Sequence, residues 1–192
     1  MPCLTPSPNI QRLLSECYSY DISHSSNIYR SIRPATIDDI DNIATLISPL
    51  ESSGILIHRT QDQLREEIIN FYVLEIDDNV IACAALYYHG SDYSAELACL
   101  AVHPKFQNMG IGRIILQRLT TLARKRQCVR VFALTTQARY WFEAQGFVYQ
   151  DIATLPKIKL ESYNFERNSM VMKKKLSQFV FEDTTLTKQL II

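Results

Sequence analysis

Residues 98–113 run from an apolar strand, Ala98 to Val102, through a short loop holding Gly110 and Gly112, and straight into a segment of helical periodicity. Few folds accommodate that order. The two glycines let the backbone approach a ligand or adopt φ > 0. The helix that begins there turns its unpaired N–H groups and the positive end of its dipole toward the loop. The stretch is therefore expected to hold an anion, and a diphosphate suits it. It is not a Walker loop, because no Lys-Ser/Thr pair follows Gly112, and no acidic residue closes a following strand as a dinucleotide site requires.

The neighbouring segments predict the rest. Ile32–Ala35 reads as a first strand. Thr36 and Asp39 have capping-box spacing for a helix to about Ile47 with Ile37, Ile40, Ile43, Ala44 and Ile47 on one face, before Pro49 and Gly54 interrupt the chain. Thr60 and Gln63 repeat the signature ahead of a helix with Leu64, Ile68 and Ile69 inward. Phe71–Ile76 and Val80–Tyr88 read as strands joined by Asp77-Asp78-Asn79, and Ala95–Val102 as a third, all antiparallel. From Ile111 to Arg126, Ile111, Ile114, Ile115, Leu119, Leu122 and Ala123 share a face, and Arg124 to Arg126 form a solvated, dipole-complementing end. Val129–Leu134 then arrives parallel to its predecessor. A short helix at Ala138–Gln145 ends at Gly146, and Val148–Ile152 and Met170–Leu176 close the sheet around the loop Pro156–Ser169. The predicted class is α/β (α+β), a mixed, mostly antiparallel sheet flanked by helices. The expected organisation is an N-terminal arm over 1–28 with a partial helix at Ile10–Tyr20, a single domain over 29–176, and a polar tail over 177–192 ending in Leu190-Ile191-Ile192.

Twenty basic and twenty acidic residues cancel, which argues against a general nucleic-acid surface. The five cysteines are odd in number and lack paired CxxC spacing, so a reducing compartment and no metal site are expected. No apolar run approaches the roughly 20 residues that span a bilayer. The expected setting is cytoplasmic, with no membrane or nucleic-acid partner.

Gln107-Asn108-Met109-Gly110-Ile111-Gly112 resembles the Gln/Arg-x-x-Gly-x-Gly/Ala signature of the GNAT family of N-acetyltransferases, and Leu100-Ala101-Val102-His103-Pro104 looks like that family's fourth strand. The resemblance covers about residues 29–176 and implies the GNAT fold and acetyl-coenzyme A (acetyl-CoA) as cosubstrate. Separate blocks, among them Arg33–Ile40, Pro49–Arg59, Ile81–Leu86, Glu96–Val102, Leu134–Thr136, Trp141-Phe142 and Tyr163–Ser169, resemble the acetyltransferase domain of the N-acetylglutamate synthases. That implies acetyl transfer to the α-amine of L-glutamate, in arginine biosynthesis. Those synthases commonly carry an amino-acid-kinase-like domain ahead of the transferase, and only about thirty residues precede it here. The chain is thus expected to be a stand-alone short form, or a fragment or half of a split enzyme, with a homo-oligomer or a separate kinase-like chain as its protein partner. Without that domain, the resemblance does not carry over arginine inhibition through the usual site.

For the cofactor, the resemblance implies the backbone at Leu100 and Val102 for the pantetheine arm and Gln107, Met109, Gly110, Ile111, Gly112 and Arg113 for the diphosphate. Plain core packing is the alternative for Ile111. Glu96, at the entry to an apolar strand, is the expected base, with desolvation raising its pKa toward the working pH. The superfamily's usual acid tyrosine is replaced by Phe142, which leaves Thr135 to stabilise the leaving thiolate, or merely to cap the following helix. Tyr140 is a weaker donor candidate. Arg59 and Arg167 are implied to grip the two carboxylates of the acceptor, since guanidinium forks match carboxylates. Cys99 is expected to line the pocket or to be a buried structural thiol, and His103 to be structural. One departure is Gln137, where the synthases often carry Arg. Two other readings stay open: an acetyltransferase for another small amine or a protein N-terminus, and a non-catalytic CoA-binding module.

Overall fold

The computed structural model describes residues 32–76 and 79–177. The N-terminal arm with its expected helix, Asp77 and Asp78 of the hairpin turn, and the end of the tail from residue 178 lie outside the described residues.

Seven strands form one sheet: β1 (Ile32–Pro34), β2 (Phe71–Ile76), β3 (Asn79–His89), β4 (Ser94–Val102), β5 (Arg130–Thr135), β6 (Val148–Gln150) and β7 (Met170–Lys175), in the order β1-β2-β3-β4-β5-β7-β6. Every neighbouring pair is antiparallel except β4 and β5, which are parallel because a helix crosses between them. The predicted class therefore holds. Helices α1 (Ile40–Ser52) and α2 (Gln61–Glu67) cover one face, where Ile43, Ile47 and Leu64 meet Phe71, Val73, Cys83 and Ala85. On the other face α3 (Ile111–Lys125) and α4 (Arg139–Ala144) bring Ile115, Leu119 and Phe142 against Leu74, Ala84, Leu86 and Leu97. Among the described residues no helix is long and apolar enough to cross a membrane.

Local signals set most boundaries. Thr60 Oγ1 accepts from Gln63 N–H while the Gln63 side chain takes the Thr60 N–H, closing the predicted capping box. At Asp39 the equivalent box opens a single 3-10 turn, Ile37–Asp39, before α1 begins, and that turn leaves Ile37 exposed rather than on the buried face. Pro49 does not stop α1. Its fixed φ is helical and it forfeits one hydrogen bond, which the buried face formed by Ile40, Ile43, Leu46 and Ile47 outweighs. The helix stops instead at Gly54 (φ +72°), where Gly54 N–H bonds Glu51 O and Ile55 N–H bonds Leu50 O. Ile69 is another correction: α2 tightens into a 3-10 turn at Ile68–Asn70, which swings Ile69 out to 82 % exposure. On α3, Leu116 and Thr120 take buried places, while Ile114 and Leu122 pack only half-buried against the core.

Two irregularities matter for the site. Strands β4 and β5 pair only over Ser94–Glu96 against Arg130–Phe132, after which they part. In addition, Ala85 faces Ala98 while Cys83 faces Ala101, so β4 spends an extra residue against β3, and Cys99 takes φ +52° within that bulge.

Candidate active site

Where β4 and β5 separate, a cleft of about 600 Å³ opens at the C-terminal ends of the parallel pair. Its walls include Leu100, Val102, Gln107, Gly110, Ile111, Gly112 and Arg113, together with Thr135, Trp141 and Phe142. The predicted cofactor residues are thus brought together, except that Met109 packs on the core beside the cleft rather than lining it. Gly110 caps α3 at φ +78°, a left-handed conformation that most side chains disfavour. A Cβ on Gly112 would stand 3.3 Å from Trp141 Cζ2. The first N–H groups of α3 have no intrahelical partner, so the loop offers an anion both donors and the dipole's positive end.

Three cofactor assignments need refinement. Ile111 is 3 % exposed, so its side chain is core and any contact with the cofactor is through its backbone. Gln107 Nε2 donates to Val102 O at 3.0 Å, so this carbonyl and this side chain satisfy each other and the loop is braced against the strand end. Arg113 is exposed at the cleft mouth.

A second pocket of about 110 Å³ adjoins the cleft, and Ile55, Leu56, Ala98, Cys99 and Leu134 line both. Arg59, Glu96, Cys99 and Arg167, predicted from three separate segments, all line this smaller pocket. The Schellman turn after α1 delivers Ile55 and Leu56, and the bulge turns Cys99 into it. Helix α5 (Lys157–Glu161) and the segment following it supply Lys159, Tyr163, Asn164, Arg167 and Ser169.

Arg59 is held on two sides. Its N–H donates to Glu51 Oε1 at 3.0 Å and its Nε to Glu67 Oε2 at 3.2 Å, while Nη1 reaches Ile57 O at 3.2 Å. Arg167 donates from Nη2 to Ile55 O at 2.5 Å, and its N–H bonds Asn164 Oδ1. Both guanidinium groups keep further donors for a carboxylate. The Cys83 thiol beside Cys99 holds the Cys99 thiol below its usual value against burial, with help from the Arg59 guanidinium.

Glu96 is 6 % exposed, as expected, but its protonation is not. Burial alone would raise its pKa; the nearby His89 ring and the Lys159 ammonium, 2.9 Å from Oε2, outweigh it and leave the carboxyl below its ordinary value. His89 Nε2 lies 3.9 Å from the same oxygen and has no hydrogen-bond partner of its own. Neither Lys159 nor His89 was predicted. Lys159 falls in a block whose polar pattern resembles any surface loop, and only the fold puts it opposite β4.

Thr135 Oγ1 accepts from Ala138 N–H at 2.9 Å and Gln137 N–H at 3.3 Å, which braces the turn between β5 and α4; the N-cap of α4 is Ala138, so Thr135 does not cap that helix. Its hydroxyl proton remains to be donated into the cleft it lines. Tyr140 is 81 % exposed and does not line the cleft, which removes it as a donor. Phe142 is buried on the cleft wall, and Gln137 is exposed. His103 Nδ1 accepts from Lys105 N–H, the structural role expected of it. Among the described residues no group of three His, Cys, Asp or Glu could hold a metal ion.

Comparison with known proteins places these features. Residues 67–149 match the acetyltransferase (GNAT) domain. Curated amino-acid acetyltransferases from Aliivibrio fischeri (strain MJ11) and Escherichia coli (strain K12) are 41 % and 40 % identical over 163 residues, which is 83 % of this chain and 36 % and 37 % of theirs. The chain thus spans little more than a third of the length of the curated relatives it matches. The N-acetylglutamate synthase from Neisseria gonorrhoeae, solved with coenzyme A and N-acetyl-glutamate, is 39 % identical with a TM-score of 0.75, over 77 % of this chain and 35 % of that one. A Mycobacterium tuberculosis chain solved with CoA is 26 % identical with a TM-score of 0.65, over 76 % of this chain and 99 % of that one.

Proposed function

We propose that this chain, whose residues 67–149 match the acetyltransferase (GNAT) domain, is a GNAT acetyltransferase that moves acetyl from acetyl-CoA to the α-amine of L-glutamate, giving N-acetyl-L-glutamate for arginine biosynthesis. The observation that carries this reading is the small pocket itself, which sets two arginines and one buried carboxylate around a space adjoining the cofactor cleft. An acceptor with two carboxylates and one amine matches that charge pattern. An acceptor lacking a second carboxylate would leave the remaining donors of one half-buried guanidinium unmatched.

The cleft fits acetyl-CoA by its chemistry: unpaired helix N–H groups at a glycine turn for the diphosphate, and a strand edge released by the parting of β4 and β5 for the pantetheine amides. Acetyl-CoA supplies an activated acyl group. The residues of this chain do the rest. Arg59 and Arg167 orient the acceptor; Glu96 takes the proton from its ammonium, directly or through water; the Thr135 hydroxyl donates to the departing sulfur. The Neisseria synthase solved with N-acetyl-glutamate supports the acceptor, and the Mycobacterium chain, covered over 99 % of its length, supports a fold of this size holding CoA without a long preceding domain. Free thiols at Cys83, Cys99 and Cys128 suit a reducing, cytoplasmic setting.

The test is release of free CoA by the purified chain with L-glutamate, against L-aspartate, L-glutamine and a peptide N-terminus. Turnover confined to L-glutamate is the expected result. Equal turnover with the peptide would replace the amino-acid reading by a protein-directed one. Binding of acetyl-CoA without turnover of any amine would favour a module completed by a separate kinase-like chain.

A further inference from the structure

Lys159 puts a primary amine beside the carboxylate that the proposed reaction uses as its base. Its Nζ is 2.9 Å from Glu96 Oε2, the Glu96 side chain is 8 % exposed and that of Lys159 26 %. Both residues line the small pocket, and this pocket shares Ala98, Cys99 and Leu134 with the cofactor cleft. An acceptor amine arrives as an ammonium ion, must reach Glu96 to lose its proton, and must then face the cleft. Lys159 meets the first of those conditions without any acceptor present. A flexible four-carbon stem lets it meet the last.

We infer that Lys159 occupies the acceptor-amine position in the empty pocket, and that the chain acetylates its own Lys159 when acetyl-CoA is bound and no acceptor is present. The inference rests on the acetyltransferase reading above. In the step, Glu96 takes a proton from the Lys159 ammonium. The freed lone pair forms an N–C bond to the acetyl carbonyl carbon and the C–S bond breaks. The sulfur leaves with its electron pair and takes up, as free CoA, the second proton shed by the nitrogen. One acetyl-CoA and one amine give one amide and one thiol, with no oxidant or reductant. The product has lost the positive charge beside Glu96 and carries an added acetyl group in a pocket of about 110 Å³, so the modification closes the site to acceptors. An acceptor held by Arg59 and Arg167 displaces the lysine and protects it.

The experiment incubates the purified chain with acetyl-CoA alone, then with acetyl-CoA and L-glutamate, and reads intact mass and the modified peptide by mass spectrometry. The expected result is a gain of one acetyl group mapped to Lys159, slowed by L-glutamate and absent in Lys159→Arg. Glu96→Gln should slow it about 100-fold, the order of a positioned base. CoA release with L-glutamate is followed on the same preparation. Turnover of L-glutamate with Lys159 left unmodified overturns the inference and leaves the function standing; acetylation of Lys159 without turnover of L-glutamate does the reverse. Acetyl groups spread over exposed lysines such as Lys105, Lys125 and Lys157, undiminished in Glu96→Gln, would mark solution chemistry and overturn it as well.

Discussion

Arg59 Nε donates to Glu67 Oε2 across 3.2 Å, and that same oxygen accepts the Tyr87 hydroxyl. Burial and the Glu67 carboxylate push the Tyr87 hydroxyl above the usual phenol range, so it stays a donor, and Glu67 stays an acceptor for both. The arginine's second edge is thereby aimed while its first is tied. Glu67→Gln keeps the size of the side chain and removes the charge. The KM for L-glutamate is expected to rise about tenfold, the equivalent of roughly 1.4 kcal/mol, with kcat and the KM for acetyl-CoA little changed. An unaltered KM for L-glutamate would show that Arg59 needs no such support.

Gly110 and Gly112 serve different ends. At Gly110 a Cβ meets nothing within 4 Å, but φ is +78°; at Gly112 φ is ordinary, but a Cβ meets Trp141 at 3.3 Å and Val102 at 3.9 Å. Gly110→Ala pays in backbone strain, about 1–2 kcal/mol, which for a domain of this size lowers Tm by about 2–4 °C per kcal/mol. Gly112→Ala instead displaces a ring that lines the cofactor cleft. The first variant should lose more Tm and the second more acetyl-CoA affinity, measured by thermal unfolding and equilibrium binding. The opposite order would reverse the roles given to the two glycines.

These differences follow how far each feature reaches along the chain. The capping box at Thr60 and Gln63, the amphipathic period of α3 and the Gly146 end of α4 are local, and they are legible in the sequence. Pro49 misleads because the helix around it is held by burial on the sheet, a tertiary term that propensity does not contain. The bulge at Cys99 leaves no mark in an apolar strand. The sign of the Glu96 shift is a matter of partners: burial was readable from the strand, whereas His89 and Lys159 arrive from a neighbouring strand and a distant helix.

Asp39 joins its helix start to the first strand. Arg33 donates to it from Nη1 at 2.7 Å and Nη2 at 2.9 Å, and the Thr36 N–H donates at 2.7 Å. Chiefly through Arg33, the carboxyl falls from 3.8 to about 2. A folded-state pKa below the unfolded one adds stability that is complete above pH 3.8 and disappears as pH falls through about 2. Arg33 is partly open to solvent and also serves Glu75, which reduces the gain to about 1–2 kcal/mol. Asp39→Asn should cost that much in denaturant unfolding at neutral pH, and the difference from wild type should close between pH 3.8 and about 2. A pH-independent difference would assign the cost to packing.

For catalysis the corresponding test concerns Glu96. With its carboxyl held below the ordinary range, the acid limb of kcat/KM is expected below that of an unperturbed glutamate. Removing the ammonium at 2.9 Å in Lys159→Met leaves burial opposed by His89 alone, so the limb should move to higher pH. A limb that stays in place would mean that another group sets the profile.

Thr135 combines two tasks that one substitution pair separates. Its oxygen accepts the Ala138 and Gln137 N–H groups, and its proton is free to be donated toward the cleft. Thr135→Val removes both the acceptor and the donor with little change in volume. The lost turn hydrogen bonds should cost about 1 kcal/mol of stability, read by denaturant unfolding. Loss of a donor to the departing sulfur should lower kcat by about 100-fold and leave the KM for L-glutamate near its wild-type value. Thr135→Ser retains the hydroxyl and should restore both. If the valine variant lost the turn's share of stability yet kept kcat, the hydroxyl would brace the turn alone, and the thiolate would take its proton from elsewhere in the cleft.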